Sequence, residues 1–291
     1  MNAKLTQSAR SLLELAARSR DGNPWPLIGI RQRAGGAKSR MFDKLKADGL
    51  FDKANRITQA GRVALAHPAV AILAEAMEAA PAIAAGEHRY WLSRHVPDLW
   101  VDHAYGRTLF VMLNPSTADA TTDDATVRKC LGFTKRFGAT GHGIVNLFTR
   151  RATNPANLPG LVDLNGADAD LTIRAAILWL SAKGWPNQTS RLIFAYGAPP
   201  WADADLGRHT PGARMLRLQG ERIAFVRQVA EAAGFKPWAL GLTAKGWPRH
   251  PSRLPYGDGD NPAEGFASNI GLVPSAHFER FAPAIRPPEE G

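Results

Sequence analysis

Four predicted strands of this chain each end in polar or conformationally special residues. Residues 114–119 follow the predicted strand at 108–113, and Asn146 lies in the strand at 143–148. Tyr196 ends the strand at 192–196, and residues 249–252 come after the strand at 238–242. Amides and carboxylates can position a water molecule, and an imidazole can donate a hydrogen bond to a group that leaves with negative charge. Because the carboxyl ends of parallel strands meet at one edge of a sheet, we expect these residues to converge there.

The candidate catalytic residues are Asn114, Asp119 and His250, and each has a structural alternative. For Asn114, which precedes Pro115, the alternative is a simple turn that ends the strand. For Asp119 it is capping of a helix, and for His250 it is an ordinary place in a surface loop.

The candidate binding residues are Asn146, Asp123, Asp124 and Tyr196. The two aspartates either line a pocket, as acceptors or as a general base, or cap the helix that follows them. Asn146 is harder to assign to structure alone, because an amide within an apolar strand must find polar partners.

Alternating patterns behind these residues predict an α/β domain. We expect a mostly parallel central sheet with helices on both faces, a three-layer α/β/α architecture spanning residues 87–286, and a disordered tail at 287–291. The predicted strands are residues 90–96, 108–113, 143–148, 192–196 and 238–242, and the predicted helices are 125–137, 171–183 and 220–233.

The first 68 residues carry 13 Lys and Arg against 5 Asp and Glu, which leaves a net charge of +8. Their helix, helix, turn, basic helix and hairpin pattern resembles a winged helix-turn-helix, with residues 69–86 as a linker helix. This predicts contact with double-stranded DNA; the alternative is a small helical dimerisation module. The predicted DNA-contact residues of this domain are Lys38, Arg40, Lys44, Lys46, Lys53 and Arg56.

Several classes of protein are excluded by the composition. A chain with the single Cys130 forms no internal disulfide, zinc ribbon or four-thiolate cluster, and we expect no metal and no cofactor. No apolar run reaches membrane-spanning length, and the first 20 residues carry charges where a signal peptide needs an apolar stretch. We therefore expect a cytoplasmic protein with no membrane partner.

Residues 111–116 (Val-Met-Leu-Asn-Pro-Ser) resemble the first motif of the uracil-DNA glycosylase superfamily, especially its mismatch-specific branch. The strand with Asn146, the run 194–197 and the His-Pro-Ser at 250–252 are similar to its later motifs, in the family's order. The resemblance implies that Asn114 places the attacking water, Asn146 reads a flipped base and His250 stabilises the departing base. The loop residues implied to hold DNA phosphates are Arg249, Ser252 and Arg253.

Two departures from that superfamily shape the functional prediction. Leu113-Asn114 stands where classical members have a Gln and an Asp, and residues 121–124 (Thr-Thr-Asp-Asp) replace the aromatic that stacks on the base. We therefore expect a DNA glycosylase that excises a modified base, such as one from phage DNA, in defence. The alternative is a transcriptional regulator whose glycosylase-like domain binds a nucleobase or nucleoside without cleaving it. The region also looks like an uncharacterised bacterial and phage family defined by its LNPSTAD run.

Overall fold

The computed structural model describes residues 68–96, 106–182, 190–202, 210–256 and 273–274. The predicted winged helix, with all six of its DNA-contact residues, and the predicted tail at 287–291 lie outside the described residues. The described helices are α1 (Pro68–Ala79), α2 (Ala125–Arg136), α3 (Ala169–Ala182) and α4 (Pro211–Ala232). The strands are β1 (Ala82–Ala85), β2 (His88–His95), β3 (Thr108–Met112), β4 (Gly141–Asn146), β5 (Arg191–Phe194), β6 (Trp238–Ala239) and β7 (Val273–Pro274).

These strands form one mixed sheet in the order β1-β2-β4-β3-β5-β6-β7. The four central strands β4, β3, β5 and β6 are parallel, whereas β2 and β7 each run antiparallel to their neighbours. Register is set by pairs such as Met112 opposite Asn146. The prediction of a mixed α/β fold with a mostly parallel sheet is confirmed.

Side chains alternate between the two faces of the sheet along each central strand. Phe110 and Met112 pack with Val127, Cys130 and Phe133 of α2, and we call this side the α2 face. The side chains of residues 109 and 111 point the other way and meet helices α1, α3 and α4, on what we call the three-helix face. The sheet therefore lies between two helical layers. The pattern follows from the period of two in a strand.

The segment predicted as a linker helix over 69–86 belongs to the domain instead. The helix ends at Ala79, before Pro81, and residues 82–85 form β1, which pairs with β2. Val70 and Met77 of α1 are buried in the core of the three-helix face. The Ala-rich composition favoured a continuous helix, but pairing of β1 with β2 and the packing of the partly buried Ile83 against the core prevailed.

Helix α4 and strand β4 also differ from their predicted bounds. Helix α4 begins nine residues before the predicted start at Gly220, with Thr210 as its N-cap and Pro211 in its first turn. Strand β4 begins two residues early and stops at Asn146, so Asn146 is the last residue of the strand. No helix in the described ranges is long and apolar enough to cross a membrane.

Candidate functional site

The carboxyl ends of the parallel strands form the edge at which the predicted residues were expected to meet. The chain passes from β3 through α2 to β4 on one side, and then returns through α3 to β5 on the other side of β3. Such a change of direction opens a crevice at the strand ends, where α/β proteins bind ligands. Because α2 runs back along the sheet, its N-terminus lies at this same edge, and the Asp124 carboxylate caps it by accepting from Val127 N–H at 2.9 Å.

Asn146 is the most informative residue at this edge. It is 2% exposed and follows Ile144 by two residues, so its side chain lies on the α2 face. Neither its Oδ1 nor its Nδ2 has a hydrogen-bond partner among the described residues. A buried polar group without partners costs about 1–3 kcal/mol. Asn146 therefore offers a donor and an acceptor to a group that enters the site.

His250 lies at the start of a short 3-10 helix, Pro251–Arg253. Its Nδ1 is 3.0 Å from Ser252 Oγ and accepts from Ser252 N–H at 3.4 Å. An imidazole that accepts at Nδ1 carries its proton on Nε2. Burial lowers the pKa of His250, with partial opposition from Asp124. At neutral pH His250 is thus an uncharged ring with an Nε2–H donor.

The loop with His250 is held against the end of β5 and against α2. Gly197, which directly follows Tyr196, has φ of +72° and lies beside the His250 side chain. Lys129 of α2 donates to the Leu254 carbonyl at 2.8 Å, which ties the end of the same loop to the helix. These contacts fix His250 at the carboxyl edge of the sheet.

Asn114 makes structural contacts that leave part of its side chain available. Its Nδ2 donates to the carbonyls of Pro115 at 3.0 Å and Ala152 at 2.7 Å. These hydrogen bonds tie the loop after β3 to the segment after β4. With both amide hydrogens engaged, Oδ1 is the atom of Asn114 that can accept a hydrogen bond from water.

Asp119 forms a turn rather than a helix cap. The carboxylate is exposed, and Oδ1 accepts from the backbone N–H groups of Thr121 at 2.9 Å and Thr122 at 2.8 Å. These hydrogen bonds lower the pKa of Asp119. Nothing in the described residues brings this carboxylate to the buried amide of Asn146.

The remaining predicted binding residues also have structural contacts. Asp123 accepts from Arg94 Nε at 2.7 Å, and Asp124 caps α2. Tyr196 is buried on the three-helix face, where its ring meets other aromatic rings, and burial raises its pKa. The structure therefore does not bring Tyr196 together with Asn146, because the two side chains belong to opposite faces of the sheet.

Three arginines that the sequence analysis did not single out surround the loop after β3. Arg89 donates through Nη1 to the Ala118 carbonyl at 2.7 Å, and Arg94 donates through Nη2 to the Asp119 carbonyl at 2.6 Å. Arg151 donates to the carbonyls of residues 116 and 118 at 3.2 and 3.3 Å. Arg89 directly precedes the short apolar run Tyr90-Trp91-Leu92, which could have indicated that Arg89 is buried but not what surrounds it.

The predicted phosphate-binding residues lie on the loop around His250. Arg249 is exposed, and its backbone N–H donates to the Gly241 carbonyl at 2.9 Å. Ser252 contacts His250, whereas the side chain of Arg253 lies outside the described residues. Within the described ranges, no group of three or more His, Cys, Asp or Glu side chains could hold a metal ion.

Fold and site together define a mixed α/β domain with a polar site at the carboxyl edge of its sheet. The chain belongs to a family described as a protein of unknown function, DUF1643, whose model matches residues 89–252. The match runs from the buried arginine at the start of β2 to the serine that contacts His250. Comparison with curated proteins and with solved structures finds no match.

Proposed function

We propose that this domain hydrolyses the N-glycosidic bond of a base flipped out of double-stranded DNA. The observation that carries the proposal is the buried amide of Asn146, whose donor and acceptor both lack partners among the described residues, at the edge where α/β proteins bind ligands. A nucleobase edge presents donors and acceptors side by side in one plane, and an amide complements such a pair.

The reaction requires a donor on one side of the scissile bond and a water on the other. As the C1′–N bond breaks, its electron pair leaves with the base, and the sugar becomes oxocarbenium-like until water adds at C1′ and releases a proton. His250 Nε2–H is suited to donate to the departing base. Asn114 Oδ1 is suited to orient the water, because its amide hydrogens are already engaged.

Binding to DNA is proposed for the basic N-terminal segment, on its charge of +8 over residues 1–68. Neutralising Lys38, Arg40, Lys44 and Lys46 should reduce the salt dependence of duplex binding by about 0.9 unit of logarithmic slope for each phosphate that these side chains neutralise. Binding is measured by fluorescence anisotropy across a salt series. An unchanged slope would contradict the assignment of these four residues.

The test of activity is mass spectrometry of bases released from plain, uracil-containing and phage-modified duplexes. The parent should release a base from at least one of them, and Asn146→Ala should change which base is released or abolish release. Asn157→Ala is the matched control, because Asn157 is an exposed asparagine of the same domain. Equal release by the Asn146 variant and the control would overturn the role of Asn146.

A second candidate is a sensor that binds a nucleobase or nucleoside without cleaving it. The roles of the three carboxylates predicted for the site favour this candidate. Asp119 forms a turn, Asp123 pairs with Arg94, and Asp124 caps α2. Each of the three is engaged in structure, which argues against its use as a general base. Binding of free bases without release from any duplex would select the sensor.

A further inference from the structure

Two arginines of this domain are equally buried but differ in how their charge is balanced. Arg89 and Arg107 are each 3% exposed. Arg107 Nη2 contacts both carboxylate oxygens of Glu78 at 2.7 and 2.6 Å, and Nη1 donates to the Trp179 carbonyl. Arg89 Nη1 donates to the carbonyl of Ala118, and its buried Nε has no partner among the described residues.

The charged groups around Arg89 leave its positive charge poorly compensated. Burial is the largest cause that lowers the pKa of Arg89 to about 10; Arg151 and Arg94 add to it, while Asp124 acts in the opposite direction. Asp123 is paired with Arg94, and Asp124 caps α2. A buried charge without a dedicated counter-charge is costly, so this arrangement favours an anion from outside the chain.

Arg89 lies at the same edge of the sheet as Asn146. Strands β2 and β4 are antiparallel, so β2 begins where β4 ends, and Arg89 N–H donates to the Thr149 carbonyl at 3.0 Å. The register of β1 against β2 shifts between Ile83 and Ala84, which are paired with Trp91 and Arg89. This irregularity lets the side chain of Arg89 share a face with residue 92 of the same strand.

That shared face is the α2 face. The Arg89 guanidinium contacts Ala118, which is buried in the core of the α2 face, where the Asn146 side chain also lies. Three buried atoms without partners among the described residues, Arg89 Nε and both polar atoms of Asn146, thus lie on one face at one edge.

We propose that Arg89 and Asn146 form a subsite for an anionic heterocycle, in which Arg89 Nε–H donates to the ring atom that carries the negative charge. The subsite rests on the proposed function, because a base leaving a glycosidic bond carries the bonding electron pair. Arg89 then supplies positive charge to the departing base, while the neutral His250 supplies a hydrogen bond. Charged hydrogen bonds of this kind are stronger than neutral ones.

The experiment measures binding of free 5-fluorouracil, whose ring N–H is more acidic than that of uracil. Calorimetric titrations at a pH below and a pH above the ionisation of this N–H compare the neutral and anionic forms. The parent should bind the anion more tightly, and Arg89→Gln should lose that preference, with roughly tenfold to hundredfold weaker binding of the anion. Asn146→Ala should weaken the binding of both forms.

Arg107→Gln is the matched control, since Arg107 has the same burial but is paired with Glu78. It should keep the preference for the anion. Arg89→Lys keeps the charge but lacks the Nε donor, so it should retain only part of the preference for the anion. This variant provides the test of the subsite if Arg89→Gln fails to fold. Preference for the anion that persists in Arg89→Gln, or a parent that binds neither form, overturns the subsite.

The two proposals fail in different ways. Binding of the anion that depends on Arg89, without base release from any duplex, would sustain the subsite and contradict the hydrolase. Base release by Arg89→Gln at the parent's rate, together with unchanged binding of the anion, would sustain the hydrolase and contradict the subsite.

Discussion

Gly197 lies directly against His250: a Cβ at position 197 would come within 3.2 Å of His250 Cβ. The backbone there has φ of +72°, which L side chains other than Asn and Asp rarely adopt. The end of β5 and the histidine loop therefore approach each other as closely as they do because residue 197 has no side chain.

Gly197→Ala should both destabilise the domain and displace His250. Strain at a positive φ costs about 1–2 kcal/mol. Gly234→Ala is the control, because Gly234 has φ of +81° and open space around its Cβ position. Both variants should lose similar stability in urea, but Gly197→Ala alone should slow base release. Equal activities would show that the contact does not position His250.

His250→Ala should lower single-turnover base release by roughly a hundredfold or more, as for one lost oxyanion-type donor. His250→Asn can still cap the 3-10 helix but lacks the ring Nε2–H, so it distinguishes loss of the cap from loss of the hydrogen bond to the departing base. Because burial lowers the pKa of His250 below 6.5, the ring is neutral at pH 7 and becomes protonated only in more acidic solution. Activity that depends on the neutral donor should therefore be constant through neutral pH, as measured in a pH–rate profile.

The two asparagines at neighbouring strand ends should respond in opposite ways to replacement by leucine. Asn146→Leu removes two buried atoms that have no partners among the described residues, and it should stabilise the free domain by roughly 1–2 kcal/mol while abolishing base binding. Asn114→Leu removes hydrogen bonds to two carbonyls and should destabilise the domain by a similar amount. Urea unfolding of both variants checks this contrast, which a purely structural Asn146 would not produce.

His142 should dominate the acid sensitivity of the fold. It is fully buried on β4, neither ring nitrogen has a partner among the described residues, and burial is the main cause that lowers its pKa from 6.5 to about 3. On acidification the unfolded chain therefore takes up this proton first. The contribution of His142 to stability is complete above pH 6.5 and falls as the pH decreases toward 3.

A shift of that size corresponds to roughly 4–5 kcal/mol of unfolding free energy across this range. His142→Leu should flatten the dependence of unfolding free energy on pH, while His95→Leu, which removes only a lesser coulombic cause of the lowered His142 pKa, should flatten it much less. An equally steep acid dependence in His142→Leu would assign the effect to other groups.

The order of elements from β2 to β6 followed from the sequence because alternation and apolar runs are local signals, whereas strands β1 and β7 were not predicted. The burial of Asn146 followed in the same way from its place in an apolar strand, but its lack of partners did not, because partners come from other elements. The start of α4 was missed although Thr210-Pro211 is a helix-start signal, because an arginine-rich first half obscured the apolar face.

The roles of the charged residues depended on contacts between distant parts of the chain. Asp123 was predicted either to line the pocket or to cap the following helix, but its partner is Arg94, 29 residues earlier. Arg89 was missed because its surroundings come from the loop after β3 and the segment after β4, and no local pattern reports such an arrangement. The side of the sheet on which Tyr196 packs could not be predicted either, because a position at a strand end does not determine the face to which a side chain points.

Cys130, the only cysteine of the chain, is fully buried in α2 on the face that also holds Asn146, and burial raises the pKa of its thiol. A thiol in that state does not react with alkylating reagents until the helix moves away from the sheet. Its rate of alkylation therefore reports how often the α2 layer opens. Any ligand that holds α2 against the sheet should slow alkylation of Cys130, whether or not the protein converts that ligand to a product.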